Sequence, residues 1–253
     1  MRQDERLSLI LERLSQTGSI GVSELARALH VSTASVRRDL RLLEEQRLLS
    51  RTHGGAVSNT TAYELPLRYK SGSHKEEKRR IATAAAARLD GAVATVGMTG
   101  GTTTTAVARM LVDRAGLTVV TNALNIASEL ALHPDLKLIA TGGTARSESY
   151  ELVGPLAEAT LAGLNLDLAI VGVDGISVGG GLTTYHEVEA ATNRMLISRA
   201  RRVVVVADGS KVGRLALASI CPIDAVDELI TDASADPAEV DRLRAAGVVV
   251  TEV

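Results

Sequence analysis

The chain has 253 residues, a net charge of -2, 45% hydrophobic and 23% charged residues, a composition that excludes a disordered or fibrous chain. Aromatic residues are only 2%, with no Trp or Phe, so recognition of unpaired bases by ring stacking has little to work with and duplex DNA is the nucleic acid the composition favours. The apolar runs are short and flanked by charge, so no membrane span is expected, and residues 1–6 offer no apolar leader region, which places the protein in the cytoplasm as an expectation.

The length suits two unequal domains, the first over residues 1–57. Leu7, Ile10, Leu11 and Leu14 repeat at i, i+3, i+4, i+7 and predict a helix that ends at Thr17-Gly18. Val22, Leu25, Ala26 and Leu29 repeat that spacing after Gly21, with Ser23 available as N-cap and a turn at His30-Val31. Ser32 can cap a third helix, in which Val36, Leu40 and Leu43 point inward while Thr33, Arg37, Arg38 and Arg41 lie on or near the opposite face. Two short helices joined by a tight turn, the second carrying polar and Arg side chains, fit a helix whose first turns meet base edges in a major groove. Arg binds guanine bidentately there. Residues 1–57 hold nine Arg and seven acids, net +2, and five of those Arg fall between 37 and 51, a clustering that serves phosphate contacts. The same arginines could instead solvate the helix or pair with Asp39, Glu44 and Glu45. Residues 48–57 read as two short strands turning near Gly54-Gly55, a wing with Arg51 and His53 at the height of a DNA backbone.

Residues 58–74 lose periodicity, carry Pro66 and Gly72, and read as a linker with an extended piece over 64–69. A second domain, 75–253, places apolar runs at 92–96, 117–120, 136–140, 168–173, 203–206 and 248–250 between helical patterns at 76–89, 103–112, 124–132 and 188–199. Such alternation predicts an α/β fold with a largely parallel sheet covered by helices. Open parallel sheets bind ligands beyond the carboxyl ends of their strands, and four loops after these runs are polar. In the loop 97–105, glycines and four threonines open a helix, so backbone amides and hydroxyls can cradle a phosphate. A plain Thr-capped helix start would look the same, and neither a P-loop Lys nor a GxGxxG run accompanies it. The other loops are Thr121-Asn122, Gly142-Gly143-Thr144, and the pair Asp174-Gly175 with Asp208-Gly209-Ser210-Lys211.

The five His (30, 53, 74, 133, 186) are scattered and paired Cys are lacking, so no metal site is expected, and the single Cys221 reads as a buried apolar thiol. Acids between 224 and 241 read as the solvated face of a helix beside Pro237.

The run Val31-Ser32-Thr33-Ala34-Ser35-Val36-Arg37-Arg38-Asp39-Leu40, with Leu42-Leu43-Glu44 and Arg51-Thr52-His53-Gly54-Gly55-Ala56, closely resembles the helix-turn-helix of the DeoR family of bacterial sugar-metabolism regulators. Ser35 stands where a Thr is common and keeps the hydroxyl. The resemblance implies that Ser32, Thr33, Ser35, Arg37, Arg38, Arg41, Arg51, His53 and Gly54 meet DNA. The polar loops resemble the DeoR sensor domain and, more distantly, ribose-5-phosphate isomerase. Laid onto this chain, the enzyme's Asp-Gly-Ala-Asp-Glu motif puts its first Asp on Val171, its second on Asp174 and its Glu on Gly175, and its Lys-Gly-Gly-Gly-Gly reduces to Val178-Gly179-Gly180-Gly181. The acid-base set is incomplete, so the likeness implies a binding site without catalytic residues or cofactor.

On that likeness the fold is a winged helix-turn-helix followed by a doubly wound sensor domain. Gly101, Thr102, Thr103 and Thr104 would hold a phosphate with Thr121, Asn122, Gly142 and Gly143 nearby. Asp174, followed by Gly175, would accept from sugar hydroxyls, and Lys211 would add a positive charge or stand as a surface lysine. Thr99-Gly100 replaces the usual Asp-Ser, and Asn193 replaces a common Lys. The implied protein is a homo-oligomeric repressor, dimer or tetramer, of carbohydrate metabolism, which binds a double-stranded operator and is modulated by a phosphorylated sugar. The rivals are a sugar-phosphate isomerase-like enzyme with an accessory DNA-binding domain, and a regulator whose second domain is a ligand-free dimerisation module.

Overall fold

The computed structural model describes residues 1, 3–58, 64–70, 72–89 and 91–253. The chain divides into two compact units, Met1–Ser73 and His74–Val253. In the first, α1 (Gln3–Thr17), β1 (Ser19–Gly21), α2 (Val22–Ala28) and α3 (Thr33–Glu45) are followed by β2 (Ser50–Arg51), β3 (Gly55–Val57) and the single-turn α4 (Leu67–Lys70). The apolar stripes read from the sequence form its core: Ile10, Leu14, Leu25, Val36, Leu40 and Leu43 are buried together. The turn between α2 and α3 is made by His30 at φ +53, with the Val31 amide donating to the Ala26 carbonyl at 3.1 Å.

Two local expectations are corrected here. The second helix starts at Val22 behind Gly21, with no side-chain cap, so Ser23 lies inside the helix and does not cap it. Gly21 instead ends β1, a strand of only three residues that pairs antiparallel with β3 in the order β1-β3-β2. Part of the supposed linker also packs. Leu67 and Tyr69 on α4 are buried, Tyr69 in the first unit's core, where its hydroxyl donates to Gln46. A helix thus stands within the stretch read as extended. Linker residues 59–63 and 71 lie outside the described residues.

The second unit begins with α5 (Lys75–Ala86), β4 (Thr95–Met98), α6 (Thr102–Met110), β5 (Thr118–Thr121), α7 (Leu124–Leu130) and β6 (Lys137–Ala140). A hairpin of β7 (Thr144–Ala145) and β8 (Leu152–Val153) leads to α8 (Pro155–Ala162) and β9 (Leu168–Val171). Then come β10 (Gly175–Ser177), β11 (Gly181–Thr184), α9 (Glu187–Ser198), β12 (Val203–Val206), β13 (Ala218–Cys221), β14 (Glu228–Thr231), α10 (Pro237–Ala245) and β15 (Val249–Glu252). Seven strands form one parallel sheet in the order β15-β14-β12-β9-β4-β5-β6. Its central strands are apolar throughout, Leu168 to Val171 and Val203 to Val206 among them, because both faces are covered. Val96, Met98, Ile170 and Val206 pack with Ile81, Val107 and Ile126 on one face. Ala169, Val171 and Val205 pack with Leu161, Leu196 and Val240 on the other.

The chain winds outward from β4 to β6, returns to β9 beside β4, and then winds the other way, so the order reverses between β4 and β9. Asp167 fixes that junction by accepting from the Ala94 and Thr95 amides at 3.1 and 2.9 Å. An antiparallel sheet β10-β11-β13 adds to the expected parallel one. Acids read as a solvated helix face are partly inside: Glu228 and Asp232 lie in β14 and the turn after it, both buried, and Glu228 is held by Arg88 and Arg202 at 2.6 and 2.7 Å. Cys221 is buried, and burial pushes its thiol up to about 11. Among the described residues no helix is long and apolar enough to cross a membrane, and no group of three or more His, Cys, Asp or Glu could hold a metal ion.

Candidate functional site

In the first unit, Ser32 caps α3: its Oγ accepts from the Ser35 amide at 3.2 Å and lies 3.1 Å from the Ser35 hydroxyl. The cap fixes where the helix starts and hence which residues form its first exposed turns. Ser32, Thr33, Arg37, Arg38 and Arg41 are exposed and Ser35 is half-buried. Two of the acids that could neutralise these arginines are committed elsewhere. Asp39 is fully buried and takes both Nε and Nη2 of Arg6 on α1, the latter at 3.0 Å, with Gln3 at 3.3 Å. Glu44 accepts from the Arg51 amide and Nε at 3.0 and 2.6 Å, and that pairing holds its carboxyl below the usual range. Arg37, Arg38 and Arg41 form no hydrogen bond or ion pair with the described residues.

The wing turns through Thr52, His53 and Gly54, all exposed, closed by the Thr52 amide on the Gly55 carbonyl at 3.0 Å. Arg51 is exposed, but its guanidinium ties the wing to the end of α3. The glycine that packing demands is Gly55, where a Cβ would lie 2.0 Å from the Ile20 carbonyl oxygen; Gly54 has open space around it.

In the second unit, the switch between β4 and β9 brings several of the polar loops together. The loops after these strands touch: a Cβ on Gly172 would lie 2.8 Å from the Gly100 carbonyl oxygen, and the Gly172 amide donates to Thr99 Oγ1 at 2.9 Å. Gly101, at φ +124, turns the chain into α6, whose N-terminus no side chain caps. The Thr104 and Thr105 hydroxyls turn back onto the Gly101 carbonyl at 2.9 and 2.6 Å. A Thr-capped helix start is therefore not what this loop is, and no side chain caps the N-terminus of α6. Thr102 is half-buried, while Thr103 and Thr104 are buried.

Thr121 is fully buried and satisfied, donating to the Met98 carbonyl at 2.7 Å and accepting from the Ala123 amide. It braces β5 against β4. Asn122 Nδ2 reaches Glu151 at 3.3 Å and Asn193 at 3.1 Å, and its buried Oδ1 has no partner among the described residues. Glu151 takes the Gly100 amide at 2.7 Å on its other oxygen and Asn193 at 3.3 Å. Burial, with the charge of Glu189 nearby, raises its pKa well above the usual carboxylate range. Glu189 on α9 accepts from Arg146 and from the Thr184 hydroxyl at 2.7 Å, and Thr184 lies 3.2 Å from Asp174.

The remaining sequence candidates lie further out. Gly142 and Gly143 follow β6 at the sheet's edge, and Gly143, at φ +120, packs on the Val153 backbone. Gly175 begins β10, where a Cβ would meet the Arg214 carbonyl oxygen at 2.5 Å, so its glycine answers to packing. Lys211 is half-buried at the end of a 3-10 turn that Asp208 caps.

Residues 6–62 match the family model of the DeoR-like helix-turn-helix domain, and residues 73–233 that of the DeoR C terminal sensor domain. The chain belongs to the DeoR family. Curated DeoR-type relatives include the glycerol-3-phosphate regulon repressor of Escherichia coli (strain K12), 35% identical over 92% of each chain, and the HTH-type transcriptional regulator GlpR of Haloferax volcanii, 37% identical over 98% of this chain and 97% of that one. A solved ribose 5-phosphate isomerase A from Methanocaldococcus jannaschii is 17% identical over 55% of each chain, with a TM-score of 0.41. This DeoR-family protein is a DNA-binding transcription regulator and not an enzyme. Val171 is fully buried in the apolar core.

For a DeoR-family chain, the sequence reading missed Arg146, Glu151, Thr184 and Glu189. Glu151 sits in an aperiodic hairpin that depends on Tyr150 at φ +59. Glu189 did leave a signal: it lies four residues before Asn193, and both are buried on a helix face shared with Ala190, Leu196 and Ile197. Polar residues on a core-facing stripe mark a site or a network.

Proposed function

We propose that this protein is a repressor of carbohydrate-metabolism genes, acting in the cytoplasm as a homo-oligomer on repeated or palindromic half-sites, and that a phosphorylated sugar bound in the second unit modulates its hold on DNA. The observation that carries the reading is the reversal of strand order between β4 and β9, where the N-terminus of α6, which no side chain caps, stands beside Gly100, Gly101 and Gly172. Such helix starts hold phosphate through backbone amides. Their place at the reversal of strand order is where open α/β sheets bind ligands.

On the DNA side, Thr33, Arg37, Arg38 and Arg41 are the base and phosphate contacts, with Ser32 and Ser35 setting the helix start and His53 and Gly54 meeting the backbone from the wing. Gly101, Thr102 and Thr103 hold the phosphate by their backbone, with Asn122 and Asp174 toward the sugar and Lys211 at the rim. Thr104 and Thr121 act by bracing the loops. A ligand changes operator affinity only by its differential affinity for two arrangements of the protein, typically about 1–3 kcal/mol or 5–150-fold.

The test is capture and sequencing of genomic DNA fragments on the full-length protein, then fluorescence anisotropy on the captured duplex with and without sugar phosphates. A fivefold or larger change in affinity with one of them is expected. Operator binding that no phosphorylated sugar alters would favour a ligand-free dimerisation module.

A further inference from the structure

The chain passes from the first unit to the second without slack. Gly72 packs on α1, where a Cβ would lie 3.0 Å from Ser8 Oγ, and the Ser73 hydroxyl donates to Glu12 on the same helix at 2.8 Å. The next residue, His74, begins the second unit, and its carbonyl accepts from the Lys78 amide at 3.0 Å to open α5. One peptide bond therefore separates an anchor on α1 from an anchor on α5. A flexible linker averages away movement passed along it, and the joint between Ser73 and His74 contains none.

His74 is also held in the left-handed region, at φ +53 and ψ +40, which few residues other than glycine adopt. Such a state persists where its surroundings fix it. Helix α5 lies on β14 and runs against it: Arg88, just past the helix, binds Glu228 at the start of the strand. His74, just before the helix, is close enough to Asp232, just past the strand, to bear on its charge. The chain thus enters the second unit at the carboxyl edge of the sheet, the edge that carries the polar loops.

Asp232 is 1% exposed and accepts from the Gly209 amide at 2.8 Å and the Ser234 amide at 2.9 Å. Burial opposes its charge, but the Ser234 hydroxyl and these amides, with His74 beside them, hold its carboxyl below the usual range. Gly209 belongs to the turn that Asp208 caps and Lys211 ends, and it is pressed onto the next loop, where a Cβ would lie 2.3 Å from the Ala235 nitrogen. One carboxylate therefore ties the Lys211 turn to the residue at which the second unit begins. Helix α5 also packs on α6, whose start is the proposed phosphate site.

We propose that His74 is the hinge through which the effector alters the hold on DNA, with Asp232 the positioning residue that couples its left-handed state to the place of the Lys211 turn. The proposal rests on the reading of the second unit as a sugar-phosphate site. An anion that engages Lys211 shifts the turn, and with it the carboxylate that faces His74. A change from the left-handed to the right-handed region at His74 redirects the chain before it, and the fixing of Ser73 to α1 passes that turn to the first unit. Element-terminal residues that absorb a large φ/ψ change build such hinges, and an element with two arrangements that both sites bias is what coupling requires.

The test is anisotropy on the captured operator duplex with the full-length protein, using glycerol 3-phosphate, fructose 6-phosphate and glucose 6-phosphate as probes. Two variants are compared with the wild type: H74G, which removes the imidazole and frees the backbone, and a Gly-Ser-Gly-Ser insertion between Ser73 and His74, which adds slack and keeps both anchors. The readout is the ratio of operator affinities with and without the probe, which a general loss of affinity or stability leaves unmoved. With a probe that gives a fivefold or larger ratio in the wild type, both variants bind that probe within threefold of wild type by calorimetry, yet the ratio falls below twofold. A fivefold ratio kept in either variant overturns the hinge and leaves the sugar-phosphate reading intact. A wild-type protein whose operator affinity no probe alters overturns that reading, and the hinge with it.

Discussion

Replacing Glu151 by Gln should remove a pH dependence from the stability of the second unit. Burial first, and the neighbouring Glu189 charge second, raise the Glu151 pKa well above its ordinary value of 4.5. A carboxyl whose folded-state pKa is raised contributes stability that is fully present below the unfolded value and is lost as pH climbs toward the folded one. Between the two values the folded chain holds a proton that the unfolded chain releases, so stability falls by about 1.4 kcal/mol for each pH unit. Gln is close in shape, carries no titrating proton and keeps an acceptor for the Gly100 amide. Urea denaturation followed by far-UV circular dichroism, from pH 5 upward in steps, should therefore show a downward slope in the wild type that E151Q flattens, with the variant the more stable at alkaline pH. Parallel slopes in the two proteins would refute a proton held at Glu151.

Arg37→Ala or Arg38→Ala should weaken duplex binding and lower the slope of log affinity against log salt by roughly 0.9 for each phosphate that the arginine no longer neutralises, seen by anisotropy at several salt concentrations. Arg6→Met should leave Asp39 buried and unpaired, at about 3 kcal/mol, the low end for breaking a buried pair because Arg6 keeps 14% exposure. It should lower the melting temperature of the first unit and weaken DNA binding, and a melting curve unchanged by the substitution would rule the anchor out. Gly55→Ala sets a methyl 2.0 Å from the Ile20 carbonyl and should cost about 1–3 kcal/mol, whereas Gly54→Ala should leave the melting curve unshifted.

Helices α1, α2 and α3 were legible because Leu7, Ile10, Leu14, Val22, Leu25, Val36 and Leu40 recur at helical spacing and all are buried. β1 was not, since three residues carry too little alternation and its pairing partner, β3, lies more than thirty residues away. In the second unit, the runs at 168–171 and 203–206 announced central parallel strands, and the glycines after β4 announced a close approach. What they approach could not be read. Glu151 reaches Gly100 only because a hairpin folds back from β6, and Gly175 is packed by Arg214, on the segment before β13, a contact that no local pattern encodes.

The clamp between Arg6 and Asp39 bears on how a chain of net charge -2 approaches a polyanion. Summed along the sequence, the three acids of α3 cancel its three arginines. In space, one acid is turned into the core and answered from behind by α1, and another is answered by the wing, while Arg37, Arg38 and Arg41 keep the outer surface. The field that DNA meets is set by which way each charge faces, so a substitution that merely freed Asp39 or Glu44 would lessen the attraction without altering any side chain that enters the groove.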